Sequence, residues 1–164
     1  MYSYLPMPKR IPASVLESIF AGEAPRVLPL GLGEVSRNEH GILSYRWTAP
    51  CEALGSLWLW IKDNEIVLGT DSFHTHVDRH AYEVRIRNPS IIVLPQTIVL
   101  AAIKTAASIM NADVAFSIDY DPAGRPVGYG MSPKDVLNPR RDGSVQLDAE
   151  STRFWDWFGE LKAI

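Results

Sequence analysis

Cysteine is almost missing from this chain. With one residue, Cys51, no internal disulfide can form, and a thiolate-based zinc site lacks its ligands. A reducing, cytoplasmic setting is the expectation. A surplus of one charge is missing too. Sixteen basic and 19 acidic side chains leave a formal charge of -3, which gives no general pull toward phosphate backbones or anionic lipid. Neither nucleic acid nor a membrane is expected as the main partner. Long apolar runs are also absent. The nearest, "SIIVLPQTIVLAAIKTAASIM" (Ser90 to Met110), is broken by Pro95, Gln96 and Lys104, whereas a span needs about 20 nearly uninterrupted apolar residues. We read it as a short buried strand followed by a buried helix. The start of the sequence has no apolar stretch of signal-peptide length, so export is not expected. No cofactor is expected from any of these features.

What is present is an ordinary globular composition: 46% hydrophobic and 21% charged residues over 164 positions, enough for one well-filled core. The chain reads as a single α+β domain, 1–164. Residues 1–40 form an N-terminal helix and an irregular arm, 41–131 a sheet with a central helix, and 132–164 a loop and a C-terminal helix. The expected architecture is an antiparallel meander of about five or six strands packed against the two later helices.

Local patterns carry that reading. Ser14 and Glu17 have the spacing of a reciprocal capping pair, and Gly22 offers a stop, so a helix is predicted over about Ser14 to Ala21. "GLGEV" (Gly31 to Val35) lacks the glycine spacing and strand-to-helix context of a phosphate loop and reads as ordinary loop. From Gly41 the period becomes two. "ILSYRW", "SLWLWIK" and "EIVLGT" read as strands, with "KDNE" as the turn joining the last two. In "PQTIVLAAIKTAASIM" the rows Val99, Ile103, Ala106, Met110 and Ile98, Ala102, Thr105, Ile109 predict a helix covered by sheet. Val114 to Tyr120 and about Pro126 to Met131 form a hairpin across the turn Asp121 to Gly124. Phe154, Trp157, Phe158 and Leu161 recur at helical spacing and predict the final helix.

The segment that bears on chemistry is "GTDSFHTHVDRH", which holds three of the four histidines. If the strand begun near Glu65 runs through Val77, alternation puts His74, His76 and Asp78 on one face and Phe73, Thr75 and Val77 on the other. His80 joins the first face only if the extended form persists. Two imidazoles and a carboxylate are suitable ligands for zinc, iron or manganese, and equally suitable as an acid-base pair near neutral pH. Metallo-β-lactamase-type hydrolases place the aspartate next to the last histidine, where Arg79 intervenes here, and both they and cupin-type barrels need a later histidine that this chain lacks. The structural alternative is an edge-strand end whose histidines cap turns or pair with Asp71 and Asp78.

The order of features in "SLWLWIKDNE", "VLGTDSFHTHVD" (Val67 to Asp78) and "TIVLAAIKTAASIMNADVAFSIDYDPAGRPVGYG" (Thr97 to Gly130) resembles a group of small bacterial α+β proteins described as immunity proteins of polymorphic toxin systems. It covers about half of the chain. The resemblance implies a protein that binds one cognate toxin protein and blocks it by surface complementarity rather than by chemistry. Asp63, Glu65, Asp119 and Asp121 are then candidate contacts for a basic toxin, and Trp58 and Trp60, which share a strand face, are candidate anchors; core packing is the plainer expectation for that face. Two other readings stand beside it: a small metal-assisted hydrolase using His74, His76 and Asp78, and a non-catalytic accessory domain that binds a larger protein partner, with "NPRRDGS" (Asn138 to Ser144) as a further basic contact.

Overall fold

The computed structural model describes residues 10–77, 87–88, 93–134 and 152–161. The chain is α+β; its described residues form two multi-turn helices, a five-stranded antiparallel sheet and a second, four-stranded sheet. The helix α1 spans Ala13–Glu23, and short 3-10 turns follow at Ala24–Arg26 and Leu30–Leu32. The first sheet is a pure meander: β1 Glu34–Arg37, β2 Leu43–Thr48, β3 Ser56–Lys62, β4 Glu65–Gly69 and β5 His74–Val77, in that order across the sheet. The helix α2 spans Pro95–Met110 and leads into β6 Val114–Tyr120 and β7 Pro126–Pro133. The second sheet is completed by β8 Thr152–Trp155 and β9 Glu160–Leu161, in the order β7-β6-β8-β9.

Both helices lie on the inner face of the first sheet. Alternation along β3 buries Leu57, Leu59 and Ile61, which join Leu16 and Phe20 of α1 and Ile98, Val99, Ala102, Ile103, Ala106 and Ile109 of α2 in one apolar cluster. Phe116, Ile118, Trp155 and Trp157 bring the second sheet into the same cluster, and the Phe73 and Phe116 rings meet edge-on at 6.0 Å. One contiguous core therefore unites the two sheets, as a chain of this length favours. No helix among the described residues is long and apolar enough to cross a membrane.

Several turns explain themselves. Asn64 takes the left-handed conformation (φ 65°) that lets β3 reverse into β4. The same turn holds the entry to α1: Ala13 N–H donates to Asp63 Oδ1 at 2.9 Å and Ile11 N–H donates to Asn64 Oδ1 at 2.8 Å. The expected Ser14–Glu17 capping pair is not formed. The helix starts one residue earlier, after Pro12, and Glu17 instead receives both guanidinium nitrogens of Arg37 at 3.0 Å. A loop turns out to have capped the helix from 50 residues away. At its other end α2 closes with Asp113 N–H donating to Ser108 C=O and Ala112 N–H donating to Ile109 C=O, a Schellman closure with Ala112 at the left-handed position.

Four expectations are corrected. Where a C-terminal helix is expected, the described residues 152–161 instead form β8 and β9, joined by a turn in which Asp156 Oδ1 accepts the N–H groups of Phe158 and Gly159 at 2.8 and 3.1 Å. The antiparallel meander stands as expected with five strands, but the hairpin β6–β7 expected beside it belongs to a second sheet. Part of the irregular arm, Glu34 to Arg37, is a strand. The segment from Glu65 to Val77 is two strands, because Thr70 N–H donates to Phe73 C=O and the chain reverses there. Of the strand expected before Pro95 only Val93 and Leu94 are described, and they are not in a strand; the basic loop at Asn138 to Ser144, and Asp78 and His80, lie outside the described residues.

Candidate functional site

The register of the meander assembles a site on the outer face of the first sheet, opposite the helices. Pairing aligns Glu34, Arg46, Trp58, Gly69 and His74 in one row across five strands, and Ser36, Ser44, Trp60, Val67 and His76 in the next. Lys62 faces Glu65 at the end of the same surface. Since side chains alternate along a strand, the fully buried residues Leu57, Leu59 and Ile61 between them fix this face by pointing the other way. Trp58 and Trp60 are therefore half-buried and outward-facing, not core residues as the plainer expectation had it.

Contacts hold the face in place. The Trp58 and Trp60 rings lie 6.2 Å apart. The Arg46 guanidinium sits 4.8 Å from the Trp58 ring centre, donates from Nε to Ser56 Oγ at 3.0 Å, and comes within 3.6 Å of Glu34. An arginine stacked on an aromatic face and held by a hydroxyl and a carboxylate loses little freedom when a partner covers it. Gly69 stands between Trp58 and His74 in the first row, where the β5 backbone approaches closely. A methyl group there would meet the His74 Cβ at 3.2 Å.

His74 and His76 do share a face, as the pattern predicts, with their rings 5.3 Å apart and edge-on. Thr75 and Val77 point inward, and Val77 and Phe73 pack on the core. The carboxylate beside His76 is that of Glu65, with Nδ1 and Oε2 2.9 Å apart. The reversal at Thr70 to Phe73 creates that pair by laying β5 beside β4. That hydrogen bond orients the imidazole ring on the sheet face. Asp71 instead lies against Gly55, whose φ of 70° and missing side chain make room for the carboxylate. Among the described residues no group of three or more His, Cys, Asp or Glu side chains is placed to hold a metal ion. His40, the third histidine among the described residues, is exposed in the β1–β2 turn beside Glu39.

The four candidate acidic contacts are distributed differently from one common patch, and each has an internal partner. Asp63 caps α1 and pairs with Arg10. The Ala13 N–H, and then Arg10, hold its carboxyl below the usual carboxylate range. Glu65 belongs to the His76 pair. Asp119 accepts the Thr152 hydroxyl at 2.6 Å on the second sheet. Asp121 accepts the N–H groups of Ala123 and Arg125 within its own hairpin turn, and the Arg125 N–H leads the contacts that keep its carboxyl low. Of the four, Glu65 alone lies on the tryptophan face. Arg46 is the residue that sequence reasoning missed; its alternation with Ser44 on β2, opposite Trp58 and Trp60, was the available signal.

Compared with known proteins, the chain matches no protein-family model, no curated protein and no solved structure.

Proposed function

We propose that this chain is an immunity-type protein that binds a cognate bacterial toxin through the outer face of its first sheet and neutralises it by covering a functional surface. The observation that carries the reading is the pair of half-buried, outward-facing tryptophans with Arg46 stacked on one of them. Trp and Arg are the residue types that dominate binding energy at protein interfaces, and here they are pre-positioned on a rigid sheet. The inner face of that sheet is already occupied by the core. The Glu65–His76 pair at the margin adds an oriented imidazole that can donate to or accept from a toxin side chain.

The test is a search for a toxin domain encoded beside this gene, followed by co-expression with it. The wild-type chain restores growth and binds the purified toxin domain. The double variant Trp58→Ala, Trp60→Ala, still folded, fails to do either, because truncating two central anchors costs on the order of 4 kcal/mol of binding. Protection that survives the double variant unchanged, or a wild-type chain that binds no toxin domain from its own neighbourhood, overturns the reading. The competing reading, a small metal-assisted hydrolase using His74, His76 and Asp78, draws on His74 and His76 sharing a face. A hydrolytic activity abolished by His76→Ala would establish it instead.

A further inference from the structure

The first sheet ends at β1, and its outer edge is open among the described residues. The hydrogen-bond phase identifies which groups point there. Asn38 N–H donates to Ile42 C=O on the β1 side of β2, and Ala49 N–H donates to Gly55 C=O on the β3 side. Because antiparallel bonding alternates, residues 34 and 36 bond to β2, whereas the N–H and C=O groups of Val35 and Arg37 face outward. All four residues of β1 are exposed, and Val35 is 55% exposed.

Proteins usually blunt such an edge with proline, a bulge, extreme shortness or unpaired charge. The edge strand of the second sheet follows that rule: β7 is bracketed by Pro126 and Pro133 and its register shifts at Asp119/Tyr120, while β9 is two residues long. β1 has none of these devices apart from its modest length. Its charges are already engaged, since Arg37 is held by Glu17 at 3.0 Å and Glu34 lies 3.6 Å from Arg46.

We propose that β1 pairs antiparallel with β1 of a second copy of this chain, about a two-fold axis at Ser36. In that register Val35 stands opposite Arg37 of the second copy in both halves of the pair. All the outward N–H and C=O groups of Val35 and Arg37 are then satisfied, and Val35 covers the aliphatic stem of the facing arginine. Ser36 faces Ser36, and Glu34 faces Asn38, so no unpaired like charges are brought together. The self-complementary row selects a second copy over an unrelated strand. The two meanders become one continuous sheet with both tryptophan faces on the same side, so the assembly presents the proposed binding face twice. The dimer does not depend on what that face binds.

The experiment is sedimentation equilibrium on the full chain from about 10 μM to 1 mM, the range in which a small edge-to-edge interface populates its dimer. The wild type shifts from monomer to dimer mass within it. Val35→Pro stays monomeric with an unchanged thermal midpoint, because the proline removes an N–H that faces outward and an edge strand tolerates that. Val35→Lys, which faces Arg37, weakens the dimer at least tenfold. Ser36→Cys tests the register without reference to stability: Ser36 forms a non-hydrogen-bonded pair about 4.5 Å apart between Cα atoms, a separation at which mild oxidation links two copies. The exposed Val27→Cys control does not link at a comparable rate. A wild type that remains monomeric throughout, leaving the edge for some other strand, overturns the proposal. So does a dimer indifferent to both Val35 variants, or Ser36→Cys linking no faster than the control.

Discussion

At the scale of single residues, carboxylates do most of the local fixing. Asp63 accepts the Ala13 N–H and faces Arg10, which joins the β3–β4 turn to the start of α1. Asp63→Ala leaves free an N–H that the helix cannot satisfy itself, and should lower stability by about 1 kcal/mol in a denaturant melt. Asp63→Asn, which keeps an acceptor, should recover part of that. Acid dependence follows from the direction of the shift. The folded-state pKa of Asp63 lies below its unfolded value of about 3.9, so its contribution is complete above that pH and fades as the pH falls through the depressed folded value. Both variants should flatten the acid limb of the stability profile, as read by melting between about pH 2 and 6. Asp156 adds to the same limb. Burial alone would raise its carboxyl, but Lys134 and the N–H groups of Phe158 and Gly159 outweigh burial and hold it low. A flattening that is incomplete in the Asp63 variants is therefore the expected result.

At the scale of elements, α2 depends on small residues. Ala102 and Ala106 are fully buried where the helix meets the core, alongside Ile98, Val99, Ile103 and Ile109. Ala106→Leu inserts three carbon atoms into a filled interior and should destabilise the fold by about 1–3 kcal/mol, visible as a lower denaturation midpoint at unchanged slope. This helix was legible because its apolar rows keep the 3.6-residue period, and β3 and β6 were legible because theirs keep a period of two. The C-terminal segment misled for a physical reason. Phe154, Trp157, Phe158 and Leu161 imitate a helical stripe, yet Asp156 and Gly159 bracket a tight turn that divides it, and Phe158 is 62% exposed as a result. The turn signal, an aspartate three residues before a glycine, outweighs four aromatic and aliphatic residues at the right spacing. The cap on α1 was illegible for another reason: its acceptor lies 50 residues away in sequence.

At the scale of the whole molecule, the question is which face of the first sheet serves stability and which is free for a partner. The pairing His74 with His76 was legible from alternation alone. The Glu65 partner was not, since it requires the chain to reverse at Thr70 to Phe73, and that reversal is set by a backbone hydrogen bond rather than by any apolar period. The two faces can be separated by substitution within β3. Leu59 is fully buried among the helices, and Leu59→Ala removes side-chain contacts and leaves a cavity, which should cost about 2–5 kcal/mol of stability. Trp60, its neighbour in sequence, points the opposite way and is only half-buried, so Trp60→Ala should cost less than Leu59→Ala although it deletes a larger side chain. His76→Ala belongs with Trp60→Ala, as it removes one exposed-side hydrogen bond to Glu65. Parallel denaturant melts and toxin-binding titrations on the three variants decide the matter. Leu59→Ala should lose stability while its folded fraction binds normally, and Trp60→Ala should keep most of its stability and lose binding. Equal stability losses at Leu59 and Trp60 would mean that the outer face is itself covered by the fold, and the tryptophans would then no longer be free to anchor a partner.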